Sequence, residues 1–408
     1  FKIIIMYKPL FKPLGLATLG LALIAFSCQE NSETPSLDVE DQIMRVPNGD
    51  VIPGSYIVVL NANTLNFRKD GAYEDVQAAM RLSANSLLAK YRIAEDKVYS
   101  VYGVALDGFA VRLSDQEVKA LANDPAVKYI EQDRVISIAQ GNRPGGGGGS
   151  GSTGQETPWG ITRVGGFVNY TGNNVAWILD SGIDLTHPDL NVATANGFTA
   201  FSTGKDANFN DGNGHGTHVA GTVAAINNNI GVVGVAAGAP VVPVKVLDSR
   251  GSGSYSGVID GVNWVASKGK AGDVANMSLG GPVSQALDDA VIAAAATGIK
   301  FVLAAGNESK SATLSSPARA NGTNVFTISA MDVNNRFASF SNFGNPPVDY
   351  CAPGVSIRST WKSGAYNTIS GTSMAAPHAA GVLLLGSART SGNVLNDPDG
   401  NPDPIITR

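Results

Sequence analysis

Asn174-Val175-Ala176-Trp177-Ile178-Leu179-Asp180-Ser181-Gly182 is an apolar run of strand length that closes on an acid and a turn. A carboxylate at the carboxyl end of a buried strand stands where open α/β sheets place their sites. Outward from this run, strands are expected near 173–180, 241–247, 273–278, 300–305 and 324–330. They alternate with helices expected near 215–227, 256–268, 284–298 and 373–386. Alternation on that scale predicts an α/β fold, a parallel sheet with helices on both faces.

A second stretch, Gly371-Thr372-Ser373-Met374-Ala375-Ala376-Pro377-His378, places a serine in the first turn of a small-residue helix. Gly371 permits a tight turn and Thr372 can cap the helix. A serine there meets unsatisfied backbone N–H groups and the positive end of the helix dipole, the groups an oxyanion needs. Alone, such a serine is an ordinary cap. Gly214-His215-Gly216-Thr217-His218-Val219-Ala220-Gly221-Thr222 adds a histidine between glycines, ahead of another small-residue helix. Hydroxyl nucleophiles need a base titrating near neutrality and an acid to orient it. Ser373, His215 and Asp180 supply all three.

Asp180-Ser181-Gly182, His215-Gly216-Thr217-His218-Val219-Ala220-Gly221 and Gly371-Thr372-Ser373-Met374-Ala375 resemble the three signature blocks of the subtilisin-like serine proteases. Their order, acid then base then nucleophile, is that family's order. Four histidines exist in the chain, His187, His215, His218 and His378. The resemblance makes His215 the base and leaves His218 a packing role. A zincin would need H-E-x-x-H, which is absent. His187 and His378 adjoin prolines and read as structural, and Asp184 lies beyond the turn that Asp180 closes.

The resemblance implies further roles. Ala304-Ala305-Gly306-Asn307 ends another strand, and Asn307 becomes the oxyanion donor beside the Ser373 N–H, where an Asx turn is the plain alternative. Two segments, 251–255 with Gly253 and Ser254, and 278–281 with Ser278, Leu279 and Gly280, resemble the edges between which the family holds an extended peptide as an added strand. Ala304, Ala305 and Gly306 would wall the S1 pocket opposite Ser278, Leu279 and Gly280, with Glu308 at its rim, a position compatible with a basic or polar P1 residue. For a structural Ca²⁺ the resemblance maps Gln155, Asp189, Asn228 and the carbonyls of Ile226, Ile230 and Val232, a hard-oxygen set suited to that ion. Asp349 is a candidate for a second, weaker site.

Ahead of this region, strand 56–60, helix 73–90, strands 97–101 and 108–113, helix 114–122 and strand 127–131 give βαββαβ, a small α+β ferredoxin-like unit. It resembles the family's inhibitory propeptide. The expected organisation is a signal peptide at 1–28, a leader at 29–50 and an inhibitory pro-domain at 51–138. A glycine-rich linker at 139–154, the peptidase domain at 155–395 and an acidic, turn-rich tail at 396–408 complete it. Self-cleavage is expected between Ile138 and Gln155. With 35 residues after Ser373, the family's closing helices are expected to be missing or replaced.

The 408 residues are 43% hydrophobic and 15% charged, enough for two domains with a sizeable core. A net charge of −5 without a basic run points away from nucleic acid. Lys2, Lys8 and Lys12 precede an apolar stretch at 14–26, too short to span a bilayer comfortably and suited to a signal-peptide core, with Met6 read as the start. Ala25-Phe26-Ser27-Cys28 has the form of a lipoprotein cleavage box with Cys28 lipidated, and plain secretion is the open alternative. The expected location is extracellular, or the cell envelope through that lipid. Cys28 and Cys351 form no disulfide framework, and Cys351 reads as a buried free thiol in a turn before the serine block. The expected function is a secreted or lipid-anchored, self-processing serine endopeptidase acting on proteins and peptides and restrained by its own propeptide. A silent binding protein would have lost a member of the triad, and none is lost. An esterase would not need a peptide groove.

Overall fold

The computed structural model describes residues 48–67, 71–138, 154–386 and 388–408. The signal peptide with Cys28, the leader up to residue 47 and the linker at 139–153 lie outside the described residues. No described helix is long and apolar enough to cross a membrane.

The first unit is β1 (Val51–Leu60), α1 (Tyr73–Lys90), β2 (Val98–Tyr102), β3 (Gly108–Arg112), α2 (Asp115–Leu121) and β4 (Val127–Ser137). This is the expected βαββαβ order. Ser114 starts α2 with a full capping box, its hydroxyl taking the Glu117 N–H while the Glu117 side chain takes the Ser114 N–H. Val58, Phe109 and Val111 pack beneath Met80 and Leu88 of α1 on one sheet face. The other face, through Ile57, Tyr102 and Ile136, shares a core with the second unit.

The second unit begins with α3 (Trp159–Arg163), β5 (Val168–Asn169), β6 (Ala176–Asp180), β7 (Phe198–Thr199) and α4 (His215–Ala224). Next come β8 (Ala236–Ala237), β9 (Val241–Lys245), β10 (Ser252–Ser254), α5 (Tyr255–Lys268), β11 (Val274–Met277) and α6 (Gln285–Ala295). The chain closes with β12 (Lys300–Ala304), β13 (Val325–Met331), β14 (Val348–Pro353), β15 (Ile357–Trp361), β16 (Ala365–Ile369), α7 (Thr372–Leu384), β17 (Arg389–Asn393) and β18 (Pro404–Thr407). The main sheet runs β17-β18-β14-β13-β12-β11-β6-β9-β7. All its pairings are parallel except β17 with β18. α4 and α7 cover one face and α5 and α6 the other, which is why β6 is buried along its whole length. After β6 the chain fills β7 and β9 on one side, then reverses to β11. Asp180 therefore sits at the topological switch point.

Two expectations change here. Residues 349–353, read as a turn, are most of β14, one strand further out in the sheet. Residues 396–408, read as turns, end in β18, whose Ile405 and Ile406 are buried and which pairs with β14 through Cys351 and Ile405. After α7 the described chain continues as the β17–β18 pair and not as helices.

Candidate active site

Asp180 lies at the end of β6, fully buried, and both its oxygens reach His215 Nδ1, at 2.8 and 2.9 Å. Burial pulls the His215 imidazole down in pKa, but the charge and hydrogen bond of Asp180 outweigh it and the net shift is upward. His215 opens α4. The helix N-cap is Gly214, at φ +113°, which has no side chain to offer. Asp211 replaces it, its Oδ1 taking the Asn213 and Gly214 N–H and its Oδ2 the Thr217 N–H and hydroxyl. Gly216 lets the helix close on β6, since a Cβ there would lie 2.1 Å from the Gly182 carbonyl oxygen. The other histidines are structural. His218 Nε2 meets the Ile357 carbonyl, and burial with the nearby His215 charge brings its pKa down to about 3. His378 Nδ1 meets the Met374 carbonyl, and burial brings it to about 4. His187 Nε2 meets the Ala365 carbonyl.

Ser373 occupies the first turn of α7, a helix buried on every side with Pro377 inside it. Pro377 has no N–H, so the Ser373 carbonyl four residues back has no intrahelical donor. The Ser278 hydroxyl fills the gap, donating to that carbonyl at 2.8 Å. The Ser373 hydroxyl donates in return to the Ser278 carbonyl at 3.2 Å rather than to His215. Asn307 is oriented by Thr372, whose N–H and hydroxyl both donate to Asn307 Oδ1, at 2.8 and 2.9 Å. A Cβ built on Gly371 would stand 3.3 Å from Asn307 Nδ2 and 3.7 Å from the Ser373 nitrogen. Both nitrogens thus border one small space.

Leu279, Gly280, Ala304, Ala305 and Gly306 line a single cavity with Glu308 and Ser373. Ser278 stands apart from it, with its side chain committed to α7. Glu308 Oε2 accepts from Asn342 at 2.7 Å, 4.0 Å from the Lys310 ammonium. Gly253 and Ser254 lie in β10, where the Ser254 hydroxyl takes the Gly257 N–H at the start of α5. The edges at 252–254 and 280 are both paired with β4. Ser252, Gly253 and Ser254 pair antiparallel with Ser137, Ile136 and Val135, Ser137 bridges to Gly280, and the Ile138 N–H donates to the Gly251 carbonyl at 3.0 Å. The end of the first unit is therefore an added strand between these edges. Its acids cap two helices of the second unit, Asp133 taking the Ser256 N–H at α5 and Glu131 the Ala286 N–H at α6.

The proposed calcium ligands converge in part. Gln155 Nε2 donates to the Ile226 carbonyl at 2.8 Å and the Val232 carbonyl at 3.4 Å. Asn228 Nδ2, the Val232 N–H and the Tyr366 hydroxyl donate to the Asp189 carboxylate. Burial pushes Asp189 up in pKa. Two carbonyls converging on one amide N–H would suit a cation, and a half-turn of that amide adds Oε1 to them. Asn228 Oδ1 accepts the Ile230 N–H at 2.8 Å, so of the expected oxygens the Ile226 and Val232 carbonyls converge, and among the described residues no group of three or more His, Cys, Asp or Glu could hold a metal ion. Asp349 takes the Thr327 N–H, and burial pushes it up to about 6. The Cys351 thiol is buried and raised well above its ordinary pKa, hence inert.

A parallel sheet covered by helices on both faces, with an acid bound to a histidine at its switch point, defines an α/β protein, and a serine opens the helix α7 packed beside α4. Residues 171–391 match the subtilase family and residues 55–139 the peptidase inhibitor I9 family. The chain belongs to the subtilase family, the subtilisin-like serine proteases, with an I9 propeptide domain at its N-terminal side. It is 43% identical to subtilisin NAT of Bacillus subtilis subsp. natto over 68% of this chain and 69% of that one. It is 38% identical to an extracellular serine proteinase of Thermus sp. (strain Rt41A) over 90% of this chain and 88% of that one. Identity to alkaline serine exoprotease A of Vibrio alginolyticus is also 38%, over 84% of this chain but only 62% of that protein's length. The crystal structure of a cold adapted subtilisin-like serine proteinase matches with a TM-score of 0.53 at 38% identity, covering 60% of this chain and 96% of that one.

Sequence reasoning missed Asp211, Thr372, Glu131 and Asp133. Asp211 was readable as an Asx residue before a glycine-flanked histidine, whereas Thr372, expected to cap α7, lies inside it behind the N-cap Gly371, its hydroxyl donating to Asn307 and accepting the Gly306 N–H. The two pro-region acids carried no local signal, because their partners lie more than a hundred residues away.

Proposed function

We propose that the chain is an exported serine endopeptidase made as a self-processing zymogen. Ser373 Oγ attacks the scissile carbonyl, and His215, whose Nδ1 is committed to Asp180, takes the proton at Nε2 and returns it to the leaving amine. Asp180 holds the imidazole in that tautomer and stabilises the imidazolium. Asn307 Nδ2 and the Ser373 N–H receive the oxyanion in the space beside Gly371. The Ser373 hydroxyl must turn from the Ser278 carbonyl toward His215 when substrate arrives, a rotation about one χ angle.

The observation that carries this reading is the seat of β4. An extended strand held by main-chain bonds between 252–254 and 280, beside Ser373, is how a peptide substrate would lie and how a propeptide would inhibit. That favours a peptidase over an esterase. The cavity walled by Leu279, Gly280, Ala304, Ala305 and Gly306 takes the P1 side chain, with Glu308 tolerating a basic or polar one. Ca²⁺ is held by Gln155, Asp189, Asn228 and the carbonyls of Ile226, Ile230 and Val232, and it ties the loop at 226–232 to the N-terminal end of the second unit. Export depends on the leader at 1–28, with a lipid on Cys28 as the membrane-bound form. Mass spectrometry of fragments made from a protein mixture by the mature enzyme tests the activity. Internal cleavages that vanish in Ser373→Ala are expected, and fragments identical in both would sink the proposal.

A further inference from the structure

Among the described residues Lys245 is the one lysine or arginine that is buried, with a side chain of zero exposure. Stripping an ammonium of water is costly unless it is paired and hydrogen-bonded. Lys245 ends β9 and is the register partner of Asp180 on β6. Its Nζ donates to the Ser181 carbonyl at 2.6 Å and pairs with Asp206 Oδ1 at 3.2 Å.

Ser181 is the hub of the site's supports. Its N–H donates to Asp180 Oδ1 at 2.7 Å, its hydroxyl donates to Asp211 at 3.0 Å, and that hydroxyl accepts the Gly216 N–H at 3.1 Å. The turn at Ser181 thereby sets where the Asp180 carboxylate points and where the helix carrying His215 begins. Asp206 faces the other way. Its Oδ1 also takes the Ser249 N–H at 3.0 Å, in the turn at 248–251 that leads into β10. The ion pair of buried Lys245 with half-buried Asp206 thus touches the support of the acid, the support of the base and the approach to a substrate edge.

We propose that Lys245 is a positioning residue for the Asp180–His215 pair and that its partner Asp206 extends the same restraint to the substrate edge at 252–254. Lys245 touches neither substrate nor the reacting atoms. It acts by pinning Ser181 and by placing a positive charge beside the strand that bears Asp180. A merely structural lysine would be replaceable by an apolar side chain of similar length, provided the carboxylate stranded at Asp206 is removed as well.

The inference rests on the peptidase reading, and turnover by wild type but not Ser373→Ala settles that reading separately. Lys245→Met, Asp206→Asn and the double variant are compared as mature enzymes on a soluble peptide anilide. Folded sites are counted by complete labelling of Ser373 with a fluorophosphonate. Lys245→Met is expected to lower kcat per site by at least about tenfold while KM stays within about twofold. The acidic limb of its kcat/KM profile is expected at higher pH, because loss of the cation strengthens the pull of the remaining carboxylates on the imidazolium. Asp206→Asn is expected to raise KM severalfold with a smaller loss in kcat. The double variant is expected to regain thermal stability and keep the low kcat. If Lys245→Met does not fold, the double variant decides. Wild-type kcat with an unshifted limb, in Lys245→Met or in the double variant, overturns the proposal.

Discussion

Ser278→Ala should destabilise the protein through a carbonyl it never covalently touches. Pro377 leaves the Ser373 carbonyl without an intrahelical donor, and the Ser278 hydroxyl supplies one at 2.8 Å. The same hydroxyl accepts from Asn276 Nδ2 at 2.8 Å, and Asn276 is buried with its Oδ1 already unpartnered. Alanine strands both the carbonyl and the amide donor. Each buried unsatisfied group costs about 1–3 kcal/mol, so a total of roughly 2–6 kcal/mol is expected for the two. For a domain of this size that is a fall in Tm of about 4–24 °C, at about 2–4 °C per kcal/mol. The decisive arm is Pro377→Ala, which restores an N–H four residues after Ser373. It should recover about 1–2 kcal/mol in the Ser278→Ala background and less with Ser278 present, a coupling that reports the shared carbonyl. Calorimetry in a Ser373→Ala background avoids autolysis and gives all four corners of the cycle. Additive effects of the two substitutions, or an unchanged Tm for Ser278→Ala, would refute the reasoning.

Asn307→Leu should keep its fold and lose about 10²–10³ in kcat, the loss known for the same oxyanion role in subtilisin, with little change in KM. Wild-type turnover would remove Asn307 from the mechanism. Activity requires neutral His215, whose pKa is raised, so activity should be complete above that pKa and fall as pH drops through it. Asp180→Asn removes the upward pull and should move the acidic limb to lower pH while kcat drops steeply, and an unmoved limb contradicts the assigned cause. Chelation should lower Tm and hasten autolysis while briefly treated enzyme stays active, and Asp189→Asn should mimic it. A Tm indifferent to chelator and to added Ca²⁺ rejects the ion.

Much of the fold was legible because β6, β11, β12 and β13 are short apolar runs that close on turns, with small-residue helices between them. Strand β14 was less so. Its Asp349 and Tyr350 at one end and Pro353 at the other read as a turn, yet Cys351 and Ala352 are buried between β13 and β18. Strand β18 comes after the run Asp397-Pro398-Asp399-Gly400-Asn401-Pro402-Asp403, so its apolar pair Ile405 and Ile406 was outvoted by turn residues. The β15–β16 hairpin, Ile357–Trp361 with Ala365–Ile369, was left unassigned because neither strand alternates cleanly. At the site, residues that act through their own side chains at strand and helix ends were legible. Those that act through a distant carbonyl were not. Ser278 reads as a groove residue by order along the chain, and only its contact with Ser373 reveals that it serves α7. Lys245 lies inside the expected strand 241–247, and nothing local in the sequence shows its register with Asp180.

The central claim is that this chain cuts itself with Ser373 while its own β4 lies in the groove. N-terminal sequencing of wild-type and Ser373→Ala protein, expressed and purified alike, tests it most directly. Wild type should begin at a new residue between Ile138 and Gln155, and Ser373→Ala should remain joined through that window. The same cut in both proteins would mean that another protease performs the processing, and the account of a self-maturing zymogen would be wrong.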